Sequence, residues 1–164
     1  MAKINGLEIK SVKTFKGHEG ETCYQGNVYF RGKKLGFWSQ SYMNGCDDYT
    51  FDVSQEIEYA VKRYVQSDYV EKECKDIYDL DCLLADLAQL KEDEKEYKKY
   101  CRLYDCNTVI FLESYSHRYA LKSSVPCTED NYTKIYPKLE QMIKSYKIIE
   151  KKFYNSLEDF NIEV

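Results

Sequence analysis

Histidine, proline and tryptophan are nearly absent from this chain of 164 residues, which holds two, two and one of them. With only His18 and His117 there is little material for imidazole acid–base work or a histidine-rich metal centre. The seven cysteines (Cys23, Cys46, Cys74, Cys82, Cys101, Cys106, Cys127) include no C-x-x-C pair, so the zinc-ribbon and thioredoxin motifs are missing. Neither G-x-G-x-x-G nor G-x-x-x-x-G-K-[ST] occurs, which removes the phosphate cradles, and no cofactor or metal is expected. No apolar run approaches the roughly 20 residues of a membrane-spanning helix. The opening MAKINGLEIK has no apolar signal core, and with an odd cysteine count this points to reduced thiols in a cytoplasmic protein that does not enter membranes.

Charge is equally uninviting to nucleic acid. The chain carries 24 Lys+Arg against 28 Asp+Glu, a formal net charge of -4, so its long-range field opposes a polyanion and direct nucleic-acid binding is not expected. The negative balance lies in the middle: residues 54–105 hold 9 basic and 14 acidic side chains, against 7 and 6 before them and 8 and 8 after.

Glycine stops early. All seven lie within the first 45 residues, among Val, Ile, Tyr, Phe and Trp, a composition that suits antiparallel strands joined by tight turns. Strands are expected near 7–15, 22–31, 33–41 and 48–53, with a hairpin at Arg31-Gly32 and with Val28 and Phe30 on the face opposite Tyr29. From Ser54 the period changes to three and four, through Ile57, Ala60, Val61 and Tyr64, which predicts a helix to about Ser67 capped by Ser54. A polar connector follows. Leu80, Leu83, Leu84, Leu87, Leu90, Tyr97, Cys101 and Tyr104 then mark a long amphipathic helix over 79–104. Residues 107–113 and 117–123 read as two strands that either pair with each other or extend the first sheet. A last stripe, Ile135, Leu139, Met142, Tyr146, Ile149, Phe153, Leu157 and Phe160, predicts a C-terminal helix within 128–160.

These elements amount to one α+β domain over 1–164: an antiparallel sheet built from the N-terminal meander (1–53) and the later hairpin (106–124), with three helices, two of them long. The helical segment is 54–105.

Two features suggest a surface for a partner. The first is tyrosine, 17 residues, whose ring gives contact area at little entropic cost and whose hydroxyl tolerates water. The second is a set of carboxylates near turns. Asp47, Asp48 and Asp52 lie beside Trp38, Tyr42 and Tyr49, and Asp76, Asp79, Asp81 and Asp86 form a second group. By alternation Phe37 and Trp38 face opposite sides of their strand, so one is an exposed anchor and the other core. A small metal-dependent nuclease or hydrolase using Asp47, Asp48 and a histidine is the enzymatic alternative. Self-association through the apolar stripe of the last helix, in an accessory protein, is a third.

The segments KINGLEIKSVKTFKGHEGETCYQGNVYFRGKKLGFWSQ and LLADLAQLKEDEKEYKK resemble a group of small proteins of Gram-positive bacterial phages and mobile elements. Genes of this kind lie among anti-defence genes, and some proteins of similar size are anti-CRISPR inhibitors. The resemblance implies an anti-defence role without assigning any residue. Together with the acidic, tyrosine-rich composition it leads to the expectation of a non-enzymatic protein-binding inhibitor. Its target would be a CRISPR effector or another nucleoprotein, whose basic channel would accept carboxylates in place of phosphates.

Overall fold

The computed structural model describes residues 1–41, 47–115 and 117–164. They group into two compact units, Met1–Asp93 with Phe160–Val164, and Glu94–Asp159.

The first unit is a six-stranded sheet with helices. Its strands are β1 (Lys3–Ile4), β2 (Leu7–Lys16), β3 (Thr22–Phe30), β4 (Lys33–Ser39), β5 (Asp48–Tyr49) and β9 (Asn161–Ile162), in the order β5-β4-β3-β2-β1-β9. Every neighbouring pair is antiparallel except β1 with β9. Two turns set the registers. Asn5-Gly6 and Arg31-Gly32 take positive φ at both positions (47° and 82°; 48° and 81°), the twist that matches two-residue hairpins. The alternation expected on β3 holds: Val28 and Phe30 are buried while Tyr29 is part-exposed.

Helices α1 (Gln55–Gln66) and α2 (Leu80–Tyr104) fall where the three-and-four spacing put them. Ser54 occupies the N-cap of α1 through its backbone, without a side-chain cap bond. Ile57, Ala60 and Tyr64 of α1 are buried, as are Leu83, Leu84 and Leu87 of α2, at about 1.5–3 kcal/mol for each large apolar side chain removed from water. Named hydrogen bonds hold these helices to the sheet. Asn5 Nδ2 donates to the Ala60 carbonyl at 2.9 Å, and the Tyr24 hydroxyl on β3 donates to Gln89 Oε1 on α2 at 2.7 Å.

The second unit is a three-stranded antiparallel sheet, β6 (Thr108–Glu113), β7 (Arg118–Ser123) and β8 (Glu150–Tyr154), in the order β7-β6-β8. Val109, Ile110, Phe111 and Leu112 are fully buried, the signature of a central strand covered on both faces. Ile110 and Leu112 form a core with Cys127 and Leu139, against which Leu121, Ile135, Met142 and Phe153 pack. Two short helices, α3 (Tyr132–Ile135) and α4 (Leu139–Tyr146), complete the unit.

The α+β class with dominant antiparallel pairing holds, and three details are corrected. The later hairpin forms its own sheet with β8 instead of extending the first. Among the described residues there are four α-helices where three were expected, and of these only α2 is long. The C-terminal helix expected over 128–160 is replaced by α3, α4, β8 and a 3-10 turn at Leu157–Phe160. The break comes at Lys147, which adopts φ 50° and ends α4, with Ile148 N–H returning to the Ile143 carbonyl at 3.0 Å. The stripe expected to carry a homo-oligomer contact is thereby split: Leu139 is buried and Phe153 packs inside the unit, while Tyr146, Ile149 and Leu157 are exposed. Among the described residues, no helix is long and apolar enough to cross a membrane.

Candidate functional site

The start of α2 is a carboxylate-bearing helix N-terminus. Asp79 precedes the first turn, and its Oδ1 accepts the Cys82 N–H at 3.1 Å, satisfying one of the amides a helix leaves open there. Asp81 and Asp86 follow on the helix, where negative charge near the first turn is favoured by the peptide dipoles. Asp86 Oδ2 accepts the Tyr78 hydroxyl at 2.5 Å. Tyr78 in turn lies 5.9 Å from the Tyr64 ring, which stacks on Tyr69 at the same centroid distance. Burial, the Asp86 hydrogen bond and the Asp86 charge push the Tyr78 phenol far up, so it stays a hydrogen-bond donor. Tyr69 is 59% exposed and gives this cluster an aromatic surface.

Asp47 connects that helix to the sheet edge. Its Oδ2 accepts the Trp38 indole N–H at 2.7 Å and its Oδ1 accepts the Ser41 N–H at 3.1 Å. Its backbone lies near enough to the Asp81 carboxyl to lower that group's pKa in part. Burial, followed by the charge of Asp47, holds the Asp81 carboxyl above its ordinary value. Two acidic groups read separately in the sequence therefore meet here. On the other side, burial raises the Cys23 thiol first, and the charges of Glu21 and then Asp47 raise it further, so Glu21 belongs to the same negative field.

The remaining expected residues divide. Trp38 is 0% exposed, and the exposed ring of the pair is Phe37, at 37%. The anchor role expected of Trp38 is thereby corrected: the indole is a buried post that orients Asp47, and alternation had left the choice of face open. Asp48, Asp52 and Asp76 are exposed. Tyr49 is half-buried, pairs with Trp38 across β4 and β5, and meets Phe51 edge-on at 5.4 Å. Tyr42 and Cys46 lie outside the described residues.

Unit by unit, the charge is lopsided. The first unit carries 12 basic and 18 acidic residues, formally -6, and the second 12 and 10, formally +2. Every expected docking residue falls in the acidic unit. Sequence reading missed Glu21, Tyr64 and Tyr69. Tyr64 was assigned to the core, correctly, yet it also backs the exposed Tyr69 ring, a contact visible only once α1 and its following turn are placed.

The residues of the enzymatic alternative are arranged otherwise. Both oxygens of Asp47 accept hydrogen bonds from the chain itself, and His18 and His117 are exposed. Among the described residues, no group of three or more His, Cys, Asp or Glu is placed to hold a metal ion. Cys23, Cys74, Cys82, Cys101, Cys106 and Cys127 are free thiols. Compared with known proteins, the chain matches no family model, no curated protein and no solved structure.

Proposed function

We propose that this protein is a non-enzymatic binder whose acidic unit docks onto a basic, nucleic-acid-binding surface of a protein partner and blocks it, as an anti-CRISPR-type inhibitor would. The observation that carries the reading is the convergence of Asp47 with Asp81, 34 positions apart in the chain, in a unit of formal charge -6. Holding two carboxylates together raises the free energy of the ionised pair, and a basic partner offsets that cost on binding. Asp86 lies five residues after Asp81 on α2, about 140° around the helix axis, so Tyr69 and the Tyr78–Asp86 pair are a separate aromatic and acidic patch of the same unit. The exposed acids Asp48, Asp52 and Asp76 add long-range attraction, which speeds encounter more than it strengthens the final complex.

The test is displacement of labelled nucleic acid from purified effectors, guide-RNA-dependent nucleases included, across a salt series. Displacement is expected to weaken steeply between low and physiological ionic strength. The triple variant Asp47→Asn, Asp81→Asn, Asp86→Asn is expected to lose about 10- to 100-fold, from up to about 1 kcal/mol for each partly screened charge. Equal displacement by that variant, or none by the native protein at any salt, refutes the reading.

A further inference from the structure

The second unit contains a pair of thiols brought together by the way α2 ends. Cys101 lies in the last turn of α2 and Cys106 just beyond it. Were the helix to continue, residues five apart would sit about 140° apart around its axis and face away from each other. Asp105 instead adopts φ 48°, a left-handed position that turns the chain back, and the two sulfurs lie 4.0 Å apart.

The surrounding hydrogen bonds fix their orientation. The Tyr97 hydroxyl on α2 donates to the Asn107 carbonyl at 2.6 Å and anchors the turn that carries the two thiols. The Cys106 S–H points at the Cys101 sulfur. When the Cys106 proton leaves, the lone pair it uncovers is aimed at Cys101. Cys106 is 7% exposed while Cys101 is half-buried, so an incoming oxidant reaches Cys101 first.

We propose that Cys101 and Cys106 are a built oxidation site that closes to a disulfide in the presence of a peroxide. In the first step the Cys101 sulfur attacks one peroxide oxygen: an S–O bond forms, the O–O bond breaks, and the departing hydroxide takes the thiol proton as water. In the second, the Cys106 sulfur attacks the Cys101 sulfur: the S–S bond forms, the S–O bond breaks, and the hydroxyl leaves with the Cys106 proton as a second water. Two thiols lose two electrons, and one hydrogen peroxide becomes two waters. Burial raises the Cys106 thiol and the nearby Lys122 ammonium opposes that rise, so Cys106 waits as a protonated resolving group until Cys101 has reacted. A thiol reductant reverses the bond. The closed form ties the last turn of α2 to the residue before Asn107 and β6.

The sequence makes the product easy to read. Trypsin cuts after Lys99 and Arg102, which places Cys101 in the peptide 100–102 and Cys106 in 103–118. The full-length protein is treated with hydrogen peroxide, quenched with N-ethylmaleimide, digested and mapped by mass spectrometry. The expected result is a cross-linked 100–102/103–118 species as the main intramolecular disulfide, about 2 Da lighter than the summed thiol peptides, and restored by dithiothreitol. A principal cross-link between either cysteine and any other, or oxidation of Cys101 to the sulfinic acid without a cross-link, overturns the proposal. In Cys106→Ser, Cys101 is expected to accumulate as a sulfenic acid that dimedone captures, and failure to capture it overturns the order of attack. The peptide map of the native protein decides the pairing whether or not that variant folds.

Discussion

Removing the carboxylate that the indole holds tests how Asp47 comes to stand beside Asp81. Asp47→Ala deletes the acceptor of both the Trp38 N–H at 2.7 Å and the Ser41 N–H at 3.1 Å. The indole N–H belongs to a fully buried residue, and leaving it unpaired costs about 1–3 kcal/mol, with about 1 kcal/mol more for the Ser41 amide, so the single change should destabilise the first unit by about 2–4 kcal/mol. Trp38→Phe removes the donor and part of the ring, but strands no buried N–H. In the double variant the Asp47 substitution should therefore cost less, and the difference, a coupling of about 1.5–3 kcal/mol for a hydrogen bond to a charged acceptor, is the quantity of interest. Indole fluorescence disappears with Trp38, the sole tryptophan. Hydrogen exchange of the β3 and β4 amides, read by mass spectrometry, follows the first unit alone and needs no indole. A coupling within about 0.5 kcal/mol of zero would show that the indole does not hold the carboxylate, and the account of how the acidic centre is assembled would fall.

Asn5→Ala is expected to lower stability by about 2–4 kcal/mol, because it removes the bonds to the Ala60 carbonyl and from the Val164 N–H and places a Cβ-bearing residue at φ 47° without its compensating side chain. Urea unfolding followed by Trp38 fluorescence reads it. Asp81→Asn should act in the opposite direction. A carboxyl whose folded pKa is raised stabilises fully below its ordinary 3.8 and loses that contribution as pH rises through the folded value, so the amide variant should be the more stable at pH 7 and converge with the native protein below about pH 3.8. The same substitution should weaken partner binding, so stability and affinity move apart, and a loss of both would refute that separation. Asn155→Ala should destabilise the second unit by about 2–3 kcal/mol, since one amide accepts from Thr108 Oγ1 and from the Cys127 N–H and donates to the Cys127 carbonyl. Exchange protection of the β6 amides is the readout.

Most element types were legible because their periods are clean. On β3 a period of two separates Val28 and Phe30 from Tyr29, and on α2 a period near 3.6 lines up Leu83, Leu84 and Leu87. The C-terminal stripe was misleading for a definite reason. Steps of three and four through Leu139, Met142, Tyr146, Ile149 and Phe153 fit one helix, but Lys147 takes the left-handed conformation that glycine usually marks, and no glycine follows Gly45. Asp105 ends α2 in the same way. β1 and β9 were missed because two-residue strands carry no period; they exist because Asn5 N–H bonds to the Ile162 carbonyl at 2.8 Å, across most of the chain. At the candidate site, residue type singled out Asp47 and Asp81 without showing that they meet, and alternation could not say whether Phe37 or Trp38 faced water.

The order of strands and helices from Leu7 through Ser123, the acidic bias of the centre and the scarcity of metal-binding side chains follow from composition and periodicity, which are local properties of a chain. Which carboxylates meet, which ring is sealed and which thiols touch depend on contacts between distant segments or on single backbone angles, and packing selects those. Asp47 reaches Asp81 because a buried indole and a helix start come together, and Cys106 reaches Cys101 because one aspartate turns left-handed.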